Sequence, residues 1–204
     1  MAFFYPVFIS FILVFLSELG DKTQLLVLSF STKTRSRFIL LGVALGSFLS
    51  HGIAILFGSS IGSLENNMVH DILQFITYVS FIFFGIASLV PKKEPVPKAN
   101  NGVLHKIAKI KMHYVFLVAF SIAIGELGDK TFLASIGLGI QYPWAKLHLI
   151  IGAILGMLAS DVLAIIIGKY VSKKISEKTV NTLSGIIFLL FGILGFISFF
   201  QNIF

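Results

Sequence analysis

The side chains of this chain that are most able to do chemistry lie in two copies of one six-residue motif. Glu-Leu-Gly-Asp-Lys-Thr occupies residues 18–23 and returns at residues 126–131. Each copy lies inside a long apolar segment, where an ionised group is costly and rarely persists without a role. Carboxylate oxygens are the ligands that Mn²⁺, Ca²⁺ and Mg²⁺ prefer. The duplicated acids therefore predict one metal site. Its expected ligands are Glu18, Asp21, Glu126 and Asp129.

These carboxylates would repel one another when brought together away from water, and either a divalent cation or protons would relieve that repulsion. Competition between the cation and protons for the same oxygens is the chemical basis of exchange. If each motif lies on one continuous helix, its Glu and Asp share a face, because residues three apart are neighbours. The glycine between them, Gly20 or Gly128, could instead break the helix, and the sequence leaves this open.

A second set of polar side chains, in the motifs or elsewhere in the apolar segments, is predicted to support the site. The set consists of Lys22, Thr23, Gln24, Lys130, Thr131, His51 and Asp161. The threonine hydroxyls and the amide of Gln24 offer further oxygens. Asp161 is expected to be functional because a buried carboxylate is costly, and His51 is either a proton carrier or a packing histidine. Asp161 and His51 are expected to surround the ligands rather than to join them.

A purely structural role of the motifs is the main alternative to a metal site. Lys22 and Lys130 each follow their glutamate by four residues, so two Glu–Lys pairs could lock a helix bundle. That explanation leaves Asp21 and Asp129 without a purpose.

The composition is that of an integral membrane protein. Of the 204 residues, 56% are apolar and 12% are charged, and the mean hydropathy is +0.96. Soluble domains have about 25% charged residues. The net charge of +7 comes from bases in loops beside apolar segments, which favours membrane topology over nucleic acid. Without cysteine, thiolate metal sites are excluded, and without a histidine pair zinc or copper has little support.

Six apolar segments are long enough to cross a bilayer as helices, which predicts an all-α polytopic membrane protein. They are residues 4–31, 38–60, 69–90, 113–139, 147–168 and 180–201. Lys and Arg concentrate in the first, third and fifth connections, so both termini are expected outside the cell, or in the lumen of an organelle. The start lacks the basic region of a signal peptide, so the first helix is expected to be retained. The short loops and the lack of a targeting extension predict a bacterial inner (plasma) membrane.

The chain is predicted to consist of two three-helix repeats joined by a basic cytoplasmic linker. The three parts are residues 1–90, 91–112 and 113–204. Glycines at matching positions extend the similarity beyond the motif. They are Gly42 and Gly46 with Gly152 and Gly156, and Gly85 with Gly192. Because each repeat has an odd number of helices, the second would enter the membrane from the opposite face, as in many secondary transporters. Glycine spacing alone could reflect only close helix packing.

The paired motif on helices one and four of a six-helix inverted repeat resembles a family of small membrane cation/proton exchangers. That family includes bacterial manganese exporters and the Golgi calcium/manganese transporters of yeast and human cells. The resemblance covers essentially the whole chain, and it implies that the acids of both motifs bind the cation. Lys130 stands where some members carry Arg. The resemblance does not extend to His51 and Asp161, which rest on their expected positions near the middle of the membrane.

The sequence therefore predicts a secondary transporter that exports a divalent cation, Mn²⁺ foremost and Ca²⁺ otherwise, in exchange for protons by alternating access. The cation, protons and the lipid bilayer are its expected partners. No resident cofactor is expected, and the oligomeric state is left open. Two alternatives remain, an exporter of another substrate such as a basic amino acid and a non-transporting structural subunit. An enzyme is not expected, because no Ser–His, Cys–His or di-His–carboxylate set lies at helical spacing.

Overall fold

The computed structural model describes residues 4–19, 21–31, 34–64, 67–90, 113–170 and 177–203. Over these residues the protein is helical and contains no β-strand, in agreement with the all-α prediction. The helices are α1 (Phe4–Glu18), α2 (Lys22–Ser31), α3 (Ser36–Ser47), α4 (Ile53–Gly62), α5 (Asn67–Leu89), α6 (Tyr114–Glu126), α7 (Lys130–Gln141), α8 (Lys146–Tyr170) and α9 (Glu177–Ile203). A π-helical turn (Phe48–Gly52) joins α3 to α4, and a 3₁₀ turn (Pro143–Ala145) joins α7 to α8. The predicted linker 91–112 lies outside the described residues.

Among the described residues, three helices are long and apolar enough to cross a membrane. They are Ser36–Gly62, Asp71–Leu89 and Pro143–Ile166. Three further apolar helices are shorter: Phe4–Glu18, Tyr114–Glu126 and Gly185–Gln201. Large apolar side chains such as Phe8 and Phe83, both 65% exposed, cover the outside of the bundle. Such a surface suits lipid rather than water.

The first and fourth expected spans are each divided into two helices at the charged motif. In the second motif the three residues Leu127, Gly128 and Asp129 leave the helix. Gly128 has a φ of +79°, in the left-handed region that only glycine enters without a steric penalty. In the first motif Asp21 is likewise outside the helices, while Gly20 lies outside the described residues. The break that the sequence left open is therefore present in both motifs.

The two breaks are closed by the same backbone hydrogen bond. The N–H of Asp21 donates to the carbonyl of Glu18 over 3.2 Å, and the N–H of Asp129 donates to the carbonyl of Glu126 over 3.1 Å. Each is a contact between residues three apart, tighter than the four-residue spacing of an α-helix. The same hydrogen bond is therefore present at equivalent places in the two halves.

The helices pair between the halves of the chain rather than within them. The most extensive contacts are α1 with α8, α5 with α9, α4 with α7 and α3 with α6. The buried core between them is apolar and includes Leu13, Ile39, Ile122, Leu149 and Met157. Since lipid is as apolar as leucine, such helices are held together by close packing rather than by escape from water.

Glycines show how closely α3 and α6 approach. A methyl group at Gly42 would lie 2.7 Å from the carbonyl oxygen of Val115, and one at Gly46 would lie 2.7 Å from that of Ala119. Each glycine therefore lets the two backbones touch. Since both residue numbers rise together, α3 and α6 run parallel.

The contact between α1 and α8 repeats this pattern. A methyl group at Gly152 would overlap the carbonyl oxygen of Val7, and one at Gly156 would lie 2.7 Å from that of Phe11. Val7 and Phe11 stand eleven and seven residues before Glu18, as Val115 and Ala119 do before Glu126. The halves thus use equivalent glycines against equivalent backbone positions, and α1 and α8 also run parallel.

α5 and α9 also pack through equivalent glycines, one on each helix. A methyl group at Gly85 would lie 2.9 Å from the backbone nitrogen of Leu189, and one at Gly192 would lie 2.9 Å from that of Ile82. Here one residue number rises as the other falls, so α5 and α9 are antiparallel.

Candidate metal centre

The two helix breaks bring the acids of both motifs to helix ends at the centre of the bundle. Glu18 and Glu126 are the last residues of α1 and α6, while Asp21 and Asp129 directly precede α2 and α7. Of the two forms that the sequence left open, the broken helix is therefore the one present, and the Glu and Asp of each motif do not lie on one continuous helix. The breaks bring them together instead.

Three side chains form what we call the glutamate–histidine group: Glu18, His51 and Glu126. One ligand atom from each lies within 4.8 Å of the ligand atoms of the other two. None of the three residues is more than 1% exposed. Two carboxylates and an imidazole thus meet where water does not reach, and buried charges of this kind need a partner.

Three acids form a second set, the aspartate group: Glu18, Asp21 and Asp129. One oxygen from each again lies within 4.8 Å of the others, and the two aspartates are half-buried. Glu18 belongs to both groups, so the groups are adjacent. All four predicted ligands are therefore gathered around Glu18, although their binding of a metal stays a prediction.

The motif threonines hold one oxygen of each glutamate. The hydroxyl of Thr23 donates to Oε2 of Glu18 over 3.3 Å, and that of Thr131 donates to Oε2 of Glu126 over 3.1 Å. Both threonines are buried, so these hydrogen bonds orient the carboxylates without solvent. Thr23 and Thr131 are therefore in direct contact with the glutamates, while their supporting role in ion binding stays a prediction.

Three carboxylate oxygens of the predicted ligands have no hydrogen-bond partner in the described part of the chain. Oε1 of Glu18, Oε1 of Glu126 and Oδ2 of Asp129 are buried and have no hydrogen-bond partner there. A buried polar atom without a partner costs roughly 1–3 kcal/mol, and more if it is charged. These oxygens are therefore positioned to accept a proton or to bind a cation.

The described motif lysine, Lys130, is not paired with the glutamate of its own motif. Lys130 is half-buried and forms no ion pair with Glu126, whose Oε2 accepts from Thr131 and whose Oε1 has no described partner. A Glu–Lys pair that locks the bundle is therefore not formed in the second motif. The side chain of Lys22 lies outside the described residues.

His51 lies closer to the acids than its sequence position led us to expect. It occupies the π-helical turn, and its Nδ1 lies 3.0 Å from the hydroxyl oxygen of Ser135 on α7. Its Nε2 is buried and has no hydrogen-bond partner among the described residues. Its ring is a member of the glutamate–histidine group, so it lies among the predicted ligands, and the expectation that it only surrounds them stays a prediction.

Asp161 is buried beside the site but belongs to neither group. It is 1% exposed on α8, and both its carboxylate oxygens lack a partner in the described part of the chain. Its neighbour Ser160 accepts a hydrogen bond from the amide of Gln24, which ties α2 to α8. Gln24 therefore joins two helices near Asp161, and its support of the site stays a prediction.

The helix ends add a fixed electrostatic field to the site. The C-terminal ends of α1 and α6, where Glu18 and Glu126 lie, carry partial negative charge. The N-terminal ends of α2 and α7, next to Asp21 and Asp129, carry partial positive charge. Ends of broken membrane helices commonly bind ions in transporters, and here the glutamate side favours a cation.

The sequence analysis missed Ser135. This buried serine lies four residues after Thr131 on α7, so it shares the face of the helix that begins at the second motif. That spacing is the feature of the sequence that could have indicated Ser135. The contact between Ser135 and His51, which lie in different halves of the chain, is visible only in the structure.

Comparisons with known proteins agree with a transport site. A Vibrio cholerae protein named "Putative manganese exporter" is 31% identical over 184 residues, which cover 89% of this chain and 86% of that protein. A GDT1-like protein of Synechocystis is 27% identical over 196 residues, covering 89% and 92% of the two chains. The Oryza sativa "GDT1-like protein 2, chloroplastic" is 28% identical over 209 residues, but the match covers only 59% of its length. No solved structure matches the chain.

The family described as "Divalent cation/proton antiporter GDT1" matches residues 6–96 and 114–202, which hold one copy of the motif each. This is a family of transporters, which is consistent with the expectation that the chain is not an enzyme. With most of its length matched, the chain belongs to the GDT1 family of divalent cation/proton antiporters.

Proposed function

We propose that the protein exports a divalent cation, Mn²⁺ foremost and Ca²⁺ otherwise, in exchange for protons. One observation carries this proposal: buried carboxylates from both motifs meet around Glu18 with acceptor oxygens that no described side chain fills. Membership of an antiporter family supports the exchange, and the name of the Vibrio cholerae relative favours Mn²⁺. The cation is cargo here, and the proposal includes no resident cofactor.

The exchange follows from competition for the same oxygens. A divalent cation binds the ionised carboxylates of the glutamate–histidine and aspartate groups, while protons neutralise those same groups when the cation leaves. Since either state removes the repulsion between buried acids, the site is stable when loaded with the cation or with protons. Because the site is unstable when it holds neither the cation nor protons, one is released only as the other binds. This couples cation transport to proton transport.

Six membrane spans remain part of the proposal, with two of them broken at the site. α1 and α2 together extend from residue 4 to residue 31, a length of roughly 40 Å at about 1.5 Å per residue. That exceeds the hydrocarbon core of about 30 Å. Broken helices are tolerated at membrane depth when the free backbone is buried in protein or lines a water-filled cavity, and both breaks directly follow a buried glutamate.

The equivalent glycine contacts support two repeats of opposite orientation. α1 runs parallel to α8, and in the proposed topology the chain reverses between α7 and α8 at the 3₁₀ turn Pro143–Ala145. On this path α1 and α6 run in opposite directions although both end at a motif glutamate. The site at their meeting point is where inverted-repeat transporters bind substrate, and rocking of one repeat against the other would give alternating access.

The direction of transport is proposed from the distribution of basic residues. The Lys-rich segment 91–112 and the other basic connections would face the cytoplasm, with both termini outside a bacterial inner membrane. The cation would then enter from the cytoplasm, and protons from outside would displace it.

Metal binding coupled to proton release tests the proposal. Purified protein in detergent is titrated with Mn²⁺ by calorimetry in two buffers of different ionisation enthalpy, which reports the protons released per ion bound. Wild type is expected to bind Mn²⁺ and release protons. Asp129→Asn is expected to bind at least about tenfold more weakly. Asp71→Asn, the same change at an exposed position on α5, is the matched control and should behave as wild type. Equal binding by Asp129→Asn and wild type would contradict the proposal.

A further inference from the structure

We infer that His51 is itself a ligand of the transported cation and makes the site prefer transition-metal ions such as Mn²⁺ to Ca²⁺ and Mg²⁺. This rests on the proposed function, and it adds a nitrogen donor to a site that the motifs alone would make entirely of oxygen. The placement of His51, its hydrogen bond and the backbone that carries it each support the assignment.

The spacing of the glutamate–histidine group fits a single ion. Metal–ligand distances of roughly 2.0–2.6 Å put two ligands of one ion no more than about 4–5 Å apart. The ligand atoms of Glu18, His51 and Glu126 lie within 4.8 Å of one another without any rearrangement. One ion can therefore contact all three side chains.

The ring of His51 is held as metal-binding imidazoles are held. Such rings usually donate their second N–H to a neighbouring oxygen, which fixes both the tautomer and the orientation. Nδ1 lies 3.0 Å from the hydroxyl oxygen of Ser135, and in the tautomer in which Nδ1–H donates to that oxygen, Nε2 carries the free lone pair. That nitrogen is buried and lacks a protein partner among the described residues. A lone pair near two carboxylates is unfavourable unless a cation or a proton lies between them.

The backbone at His51 is specialised, while that of its counterpart is regular. His51 lies in the π-helical turn Phe48–Gly52, a feature that often marks functional sites in helices. The corresponding part of α8 is α-helical and carries Asp161, which joins neither ligand group. The two halves therefore present different donors to one site, and only the first presents nitrogen.

A nitrogen donor changes which ions the site favours. Ca²⁺ and Mg²⁺ bind oxygen almost exclusively in proteins, whereas imidazole suits first-row transition metals. Mn²⁺ accepts carboxylate oxygens and can also take an imidazole. Glu18 and Glu126 supply the negative charge that any divalent cation needs. His51 adds the preference for transition-metal ions over Ca²⁺ and Mg²⁺.

Electron spin echo envelope modulation of bound Mn²⁺ tests the inference directly, because a coordinated imidazole gives modulation from ¹⁴N. Wild type loaded with Mn²⁺ is expected to show this signal. His51→Gln should lose it, and His113→Gln, a matched change at an exposed histidine, should keep it. If His51→Gln does not fold, His51→Asn takes its place.

Ion preference gives a second readout in liposomes. His51→Gln is expected to lower the ratio of Mn²⁺ to Ca²⁺ transport by about tenfold or more, mainly through weaker Mn²⁺ binding. Mn²⁺ that binds and crosses without a ¹⁴N signal in wild type would overturn the role of His51 and leave the proposed function standing. An unchanged ¹⁴N signal in the His51 variant would do the same. If wild type neither binds nor moves Mn²⁺ or Ca²⁺, the proposed function fails and the inference fails with it.

Discussion

The two halves of the molecule agree at the acids and differ in what faces them. Both end a helix at a motif glutamate, close the break with the same backbone hydrogen bond, and hold the glutamate by the motif threonine. Opposite the shared centre, however, the first half presents His51 bonded to Ser135, while the second presents Asp161 without a described partner. The equivalent parts suit movement between two related states. The unequal parts give the site its chemical preference.

A second difference supports the same conclusion. Gln24, directly after the first motif, donates to Ser160 and ties α2 to α8. Phe132 holds the corresponding position after the second motif and offers no such donor. The halves are therefore related but not interchangeable, and substitutions at matching positions should show where they act alike.

The largest effect is expected at the glutamates, where the halves agree. Glu18→Gln and Glu126→Gln should each reduce Mn²⁺ transport by about a hundredfold or more, because each removes a charged ligand from a buried group. Flux into liposomes measures both variants beside Asp71→Asn. A large loss in only one of them would show that the halves are unequal at the acids as well.

The next largest effect is expected at Asp161, where the halves differ. Because Asp161 is buried near the site but outside both ligand groups, Asp161→Asn should leave Mn²⁺ affinity within about threefold of wild type. Its loss should still slow exchange by about tenfold, the scale seen when a residue around a metal site is removed. Calorimetry reports the affinity and liposome flux the rate. Affinity that falls as steeply as in Glu126→Gln would make Asp161 a ligand.

A smaller effect is expected at Ser135, which positions the ring of His51. Ser135→Ala removes the hydroxyl that lies 3.0 Å from Nδ1 but keeps the ring, so Mn²⁺ affinity should fall by no more than about tenfold. Ca²⁺ binding should change little, since oxygen ligands are untouched. Competition between the two ions in one calorimetric titration separates these outcomes. Parallel losses for both ions would point to a packing role for Ser135 instead.

The smallest effect is expected at the break itself. Gly128→Ala meets no neighbouring atom, so its cost is that of the left-handed backbone alone, about 1 kcal/mol. For a chain of this size the melting temperature should fall by roughly 2–4 °C. Gly125→Ala is the matched control, because Gly125 is helical and its added methyl would make only ordinary contact with Thr23. A melting temperature for Gly128→Ala at or above that of wild type would show that the break does not require the left-handed backbone conformation of Gly128.

The features that the sequence predicted correctly follow from free-energy costs of single residues. Charge in an apolar segment is expensive wherever the chain folds, so the amino-acid sequence alone was enough to assign Glu18 and Glu126 to one centre. The helical class followed from the same composition. These features are visible in sequence because they hardly depend on neighbours.

The features that sequence analysis missed depend on packing between segments. Gly128 permits a break in the helix, but whether the helix breaks there depends on the surrounding packing. The π-helical turn around His51 has no characteristic amino-acid composition by which a sequence could predict it. Ser135 matters only because His51 lies opposite. Contacts of this kind appear when two distant segments are brought together, so a single sequence does not reveal them.

Coupled flux in liposomes tests the central claim most directly. Purified protein is reconstituted, Mn²⁺ is added outside, and one dye reports internal metal while another reports internal pH. Exchange predicts that Mn²⁺ enters as the interior becomes alkaline, and that an imposed outward proton gradient drives metal to accumulate inside. Mn²⁺ entry with no change in internal pH, at the same rate with or without the gradient, would contradict cation/proton exchange.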